Sequence, residues 1–184
     1  MLVQDAPLAG VKIVKPKKHG DHRGFFSEVY NEATWRAAGL DIRFVQDNHS
    51  LSAAAGTVRG LHFQIAPHGQ AKLVRVARGR ILDVVVDLRR SSPTFGRHFA
   101  AELSADNWQQ LFVPVGFAHG FCTLTDDVEV LYKVSAFYSA AHDRGLAWDD
   151  PDLAIAWPFV PEKAILSDKD RRWPPLRDLG ETFP

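Results

Sequence analysis

Cysteine is almost missing from this chain: one residue, Cys122, among 184. A lone thiol excludes an internal disulfide and fits a reducing compartment. It sits in HGFCTL, a strand-like stretch, where a small buried side chain is a better reading than a nucleophile. Net charge is missing as well. Lys and Arg number 22, Asp and Glu 22, so no overall field draws the protein toward nucleic acid or an anionic membrane. Any anionic ligand has to be held by a few local cations. No apolar run approaches the ~20 residues of a membrane span. The opening MLVQDAPLAG lacks the basic start and apolar stretch of a secretory leader. There is no G-x-S-x-G elbow, no phosphate-binding glycine loop and no dinucleotide fingerprint. These absences leave a cytoplasmic enzyme or binding protein as the expectation.

What is present is strand signal. AKLVRVA and ILDVVVDL flank RGR and read as two strands around a glycine turn. Alternation puts Lys72, Val74 and Val76 on one face of the first, and Asp83, Val85 and Asp87 on one face of the second. QQLFVPV, GFCTLT and VEVLYKVSAFY continue the pattern, broken by VGFAHG and TDD. Short strands at this spacing predict an all-β sandwich, jelly roll or barrel. Helix is scarce. NEATWRAAG offers Asn31 as N-cap and Gly39 as C′ stop, and SADNWQQ one turn capped by Ser104. No repeat or composition shift marks a boundary, so a single domain over 1–184 is expected, with an irregular Pro- and Trp-rich tail from about 160 to 184 and a short turn at SDKD.

Two of the eight histidines lie in apolar, strand-like settings beside glycine: His62 in VRGLHFQ and His119 in PVGFAHGF. Alternation puts Gly60, His62 and Gln64 on one face of their strand, with Leu61 and Phe63 on the other. PVGFAHG has the P-x-G-x-x-H spacing of the later metal motif of cupin barrels. The earlier motif would need H-x-H and a following Glu, but Gln64 stands at the second His and no Glu follows. Two histidines fall short of the three or four ligands a first-row metal needs, so no metal is expected. That leaves His62 as a core residue or a general base. Its ordinary pKa of about 6.5 suits proton abstraction at neutral pH. A base of this kind wants a carboxylate to fix its tautomer, and Asp83, Asp87, Asp168 and Asp170 are the candidates. Spacing does not choose among them.

Nine segments then stand in one order: GDHRGFFSEVYN, FVQDNHS, VRGLHFQ, QAKLVRV, DVVVDLRRSSPTFG, PVGFAHGF, LYKVSAFY, WDDPDLAIAWP and LSDKD. Their succession, from about Val11 to Asp170, resembles the dTDP-4-dehydrorhamnose 3,5-epimerases. The resemblance implies a cupin-type jelly roll with a few short helices, no metal or other cofactor, and a homodimer made by strand exchange. It implies a dTDP-4-keto-6-deoxyhexose as substrate, inverted at carbons 3 and 5 through an enolate beside the C4 ketone. It makes His62 the base, Lys72 the stabiliser of the enolate oxygen, Tyr132 the acid and Asp170 the carboxylate paired with the base. Arg23 and Arg59 then match phosphate contacts, and Glu28, Gln46, Asp47, Asn48, His119 and Lys169 further substrate contacts. Tyr138 matches the aromatic that stacks on thymine. Asp143 stands where the family commonly has Glu, one methylene shorter. Other readings remain: an epimerase of one carbon only in a specialised deoxysugar route, a metal-dependent cupin, and a non-catalytic sugar-nucleotide binder.

Overall fold

The structure is a computed structural model that describes residues 1–159 and 161–184; Val160, at the head of the expected tail, lies outside the described residues. Its strands in chain order are β1 (Leu2–Asp5), β2 (Lys12–Lys15), β3 (His19–Asp21), β4 (Gly24–Phe26), β5 (Gln46–Ser52), β6 (Val58–Gln64), β7 (Lys72–Arg78), β8 (Arg80–Asp87), β9 (His98–Ser104), β10 (Gln110–Val113), β11 (Phe117–Thr123), β12 (Val128–Val134) and β13 (Asp143–Gly145). One short helix, α1 (Glu32–Ala37), precedes β5. Six strands form one sheet in the order β1-β2-β10-β7-β12-β5, and five form another in the order β13-β6-β11-β8-β9; β3 and β4 make a separate hairpin. Neighbours in both sheets run antiparallel. This is the cupin-type jelly roll that the resemblance implies, one of the all-β forms that the strand spacing allows.

The strands around RGR are β7 and β8, and the turn at Gly79 carries the chain from one sheet to the other. Consecutive strands therefore face each other across the core. Val74, Val76, Ile81, Val85, Leu111 and Val130 fill the space between the sheets, all at most 2% exposed. Intervening positions point outward, and both outer faces are covered. Leu61, Phe63, Val84 and Val86 meet Leu146, Leu153, Leu179 and Phe183 from the later chain. Val14, Leu73 and Phe112 meet Trp35 of α1. Six residues do not hold a helix unaided. Here Asn31 caps it by accepting from the Thr34 amide, Gly39 takes φ +82 after its end, and the buried Trp35 pins it. Replacing such a tryptophan by alanine typically costs about 3–5 kcal/mol.

One expectation needs correction. VGFAHG is not a break: Phe117–Gly120 lie within β11, and only Pro114–Gly116 turn. The glycines disguise a strand whose every residue is buried. SADNWQQ does make a turn closed by Ser104, whose hydroxyl accepts from the Asn107 amide. The tail has only three short 3-10 turns among its described residues, including Asp170–Arg172 at SDKD. It is tied back by bridges from Ile165 to Thr57 and from Phe183 to Arg89. Ile165 and Asp170 are thereby carried over the end of the five-stranded sheet, where a cavity opens.

Candidate active site

The cavity has a volume of about 450 Å³ and lies between the two sheets. That is within the usual range for small-ligand clefts. His62, Arg59 and His119 reach it from the five-stranded sheet, Lys72 and Tyr132 from the six-stranded sheet, and Lys169 and Asp170 from the tail. Strand alternation alone would point Arg59 and His62 to opposite faces. They share the cavity because β6 is irregular between them. His62 pairs with His119, but Arg59 pairs with Phe121, so three steps on β6 oppose two on β11. A bulge of this kind re-aims a side chain. Gly60 is what permits it: its φ is +129, and a Cβ there would lie 2.5 Å from the Gly120 Cα.

The structure chooses among the candidate carboxylates. Asp170 Oδ1 lies 2.5 Å from His62 Nε2. Asp83 goes to His119, Asp87 to Arg89, Ser92 and Thr94, and Asp168 is exposed. Burial pushes Asp170 upward, but the His62 contact and hydrogen bonds from Ser167 and Trp173 outweigh it and hold the carboxyl below its ordinary value. An ionised carboxylate only accepts, so Nε2 carries the imidazole proton and Nδ1 keeps a free lone pair. His62 is thus set up to take a proton at Nδ1.

Lys72 is 7% exposed, and its ammonium donates to the His62 carbonyl at 3.2 Å. Burial pushes its pKa down to about 8, against the pull of Asp143 and Asp83. It is still mostly charged at neutral pH, on a side chain removed from bulk water, where a charge acts more strongly. Tyr132 is pushed up, mainly by burial, so its phenol keeps its proton. His119 donates or accepts through Nε2 against Asp83 at 2.7 Å, and burial pushes its pKa down.

Around the mouth, Gln46 Nε2 donates to Asn48 Oδ1, while Gln46 Oε1 accepts from the Tyr138 amide. The Tyr138 hydroxyl donates to Asp143, whose carboxylate also pairs with Lys169. Arg59 is steadied by Ser52 and by the Leu51 carbonyl. Gln64, standing where a metal cupin would have histidine, braces this region instead: its amide bonds His68, Phe137 and Ser139 backbone atoms. Among the described residues no three His, Cys, Asp or Glu side chains converge as a metal site.

Seven of the ten expected substrate contacts do not line this cavity: Gln46, Asn48, Tyr138 and Asp143 stand beside it, linked through the Asp143–Lys169 pair, and Arg23, Glu28 and Asp47 are not brought to it. Arg23 is exposed on the β3–β4 hairpin and forks onto Asp21, Glu28 follows that hairpin, and Asp47 faces outward to Lys133. Conversely, Trp173 and Ser167 join the Asp170 carboxylate region without having been singled out from the sequence. Only the tail motif SDKDRRW, with a Trp three residues after the Asp, could have signalled them.

The arrangement can draw a proton from one face of a carbon acid with His62, steady the resulting oxyanion with Lys72, and return a proton from the opposite wall with Tyr132. Comparison with known proteins bears on which carbon acid. The family model described as dTDP-4-dehydrorhamnose 3,5-epimerase matches residues 5–178. The dTDP-4-dehydrorhamnose 3,5-epimerase of Sinorhizobium fredii is 53% identical over 183 residues, covering 100% of this chain and 93% of that protein. A crystal structure of the Bacillus anthracis enzyme of that name, with TDP and PPi bound, superposes with TM-score 0.92 at 52% identity, covering 95% of this chain and 99% of the other. A Legionella pneumophila epimerase in complex with dTDP-4-keto-L-rhamnose also gives TM-score 0.92, at 39% identity, over 97% and 94% of the two chains.

Proposed function

Because the chain belongs to the dTDP-4-dehydrorhamnose 3,5-epimerase family, we propose that it inverts carbons 3 and 5 of dTDP-4-keto-6-deoxy-D-glucose, giving dTDP-4-keto-L-rhamnose for dTDP-L-rhamnose synthesis. The observation that carries this reading is the division of labour between the walls: a carboxylate-oriented imidazole on one sheet and a protonated phenol on the other. Packed sheets stand about 10 Å apart, room for one sugar ring between them.

Each inversion runs the same way. His62 Nδ1 takes the proton from a carbon next to the ketone. The electron pair moves to the ketone oxygen, where the Lys72 ammonium meets the developing charge. A preorganised donor at such an oxygen is typically worth about 3–4 kcal/mol. Tyr132 then gives its proton to the other face of the carbon. Imidazolium and phenolate are reset by moving one proton through solvent, so solvent hydrogen enters the product. No metal or cofactor takes part in this scheme. Arg59 faces the pyrophosphate, His119 and Asn48 the sugar, and Tyr138 the base, with Gln46, Asp143 and Lys169 bridging the mouth between them.

Arg23, Glu28 and Asp47 do not line the cavity of their own chain, so their proposed contacts with substrate call for a neighbouring subunit or a rearrangement. This supports a homodimer formed by strand exchange, whose solution mass would be twice the chain's by sedimentation. The exposed Phe25 and Phe26 beside Arg23, 56% and 70% exposed, suit the same contact. We place the enzyme in the cytoplasm as one domain. The single cysteine is free and buried, and no helix among the described residues is long and apolar enough to cross a membrane.

The test is exchange in heavy water. Incubated with dTDP-4-keto-6-deoxyglucose, the protein should place deuterium at both C3 and C5. Label at C3 alone would make it a single-carbon epimerase, and no label a binder. Stoichiometric metal held by His62 and His119 in the purified protein would also defeat the reading.

A further inference from the structure

Trp173 follows the 3-10 turn Asp170–Arg172 and does not line the cavity. It nevertheless touches three groups that do. Its indole Nε1–H donates to Asp170 Oδ1 at 3.3 Å, the same oxygen that faces His62 Nε2. Its ring stands edge-on to the His62 imidazole, with centroids 6.2 Å apart and planes at 70°. The Lys169 ammonium lies 5.4 Å from its centroid.

The ring has a dedicated seat. Gly145 is the β13 partner of His62, and a Cβ on Gly145 would fall 2.2–2.4 Å from three indole atoms. Only glycine leaves room for the ring at this place. The backbone on both sides is held: Ala147 N–H donates to the Pro174 carbonyl at 2.8 Å, and Leu176 N–H to Asp150 Oδ2 at 2.6 Å. The indole is therefore fixed independently of the pair it touches.

We infer that Trp173 is a positioning residue for the His62–Asp170 pair, seated by Gly145 and acting on proton abstraction without meeting the substrate. This rests on the proposed epimerase reading. The indole N–H restrains Asp170 Oδ1 in line with Nε2, and the ring edge limits rotation of the imidazole. Misplacing a base by a fraction of a bond length costs rate more than affinity.

Trp173→Phe keeps an aromatic ring over Gly145 and removes only the donor. Loss of that donor leaves Oδ1 more basic, which steadies the imidazolium, so the pair takes up its proton at higher pH. The other charged groups around the pair stay in place: Lys169 from the tail, Lys72 from β7, His119 and Asp83 from the five-stranded sheet, and Asp143 from β13. The expected result is a kcat about tenfold lower with KM unchanged, the loss of one hydrogen bond to a charged group. The acid limb of kcat/KM should move to higher pH. In protein carrying 15N-histidine, the His62 imidazole N–H resonance should shift as well. Gly145→Ala, which displaces the ring from the other side, should move the same limb, and adding Trp173→Phe to it should change little further. A Trp173→Phe protein with the wild-type pH profile and an unmoved resonance would overturn the inference. So would a rate loss that tracks a lowered melting temperature with the acid limb unmoved. The resonance needs no substrate, so it reads the inference even if heavy-water exchange rejects the epimerase reading.

Discussion

The cavity holds two histidine–aspartate pairs on adjacent strands, with His62 and His119 directly opposite one another across β6 and β11. In residue type and hydrogen bond they are alike: Nε2 to Oδ1 at 2.5 Å for His62–Asp170 and 2.7 Å for His119–Asp83. They differ in surroundings. The His62 side chain is 31% exposed, and its carboxylate comes from the tail with Ser167 and Trp173 in support. The His119 side chain is 8% exposed over a wholly buried Asp83, whose Oδ2 has no hydrogen-bond partner among the described residues. Burial lowers the pKa of His119, with the charges of Lys72 and His62 adding to it. A proton taken by His119 would sit in a place hostile to positive charge. One taken by His62 sits beside a supported carboxylate at an open wall. On the proposed reading, access and carboxylate support, not the residue pair itself, separate a base from a binding contact.

That contrast sets the size of each expected effect. His62→Ala, which removes the proposed base of the open pair, should lower product formation about 10²–10⁴-fold, the usual range for a general base. Asp170→Asn should cost about 10²–10³-fold in kcat, because an amide can donate to Nε2 and hold the wrong tautomer. The pH profile carries a smaller effect. Lys72 is charged below its pKa of about 8, so kcat should fall as pH rises through that value. Lys72→Arg, charged throughout, should carry the basic limb upward even at a reduced rate. His119→Ala belongs to the buried pair and should act least on chemistry, raising KM about tenfold with kcat nearly kept.

Much of this was legible in the residues. Period-two alternation through KLVRV and ILDVVVD placed Lys72 and Asp83 on inward faces beside Val74 and Val85, and Asn31 marked the start of α1. His62 stood out because an apolar strand rarely carries an imidazole between Leu61 and Phe63. Other features depend on contacts distant in sequence. Asp170 lies 108 positions from His62, and nothing local separates it from Asp83, Asp87 or Asp168. The bulge that turns Arg59 toward the cavity is set by the approach of Gly60 to Gly120, which belongs to another strand. Nothing in the Trp-rich tail marked Trp173, because its seat, Gly145, is on a strand of three residues with no apolar signature. The glycines in VGFAHG hid β11 for a related reason: they serve close packing between strands, while local pattern reads them as turns.

The central claim is that His62, and not His119, takes the proton. The direct measurement is deuterium incorporation at C3 and C5 of dTDP-4-keto-6-deoxyglucose in heavy water at saturating substrate, with His62→Ala and His119→Ala side by side. Within the time the wild-type protein needs to label both carbons, the account predicts no label at either carbon with His62→Ala and label at both with His119→Ala. Label persisting in the His62 variant, or absent from the His119 variant at saturation, would contradict it.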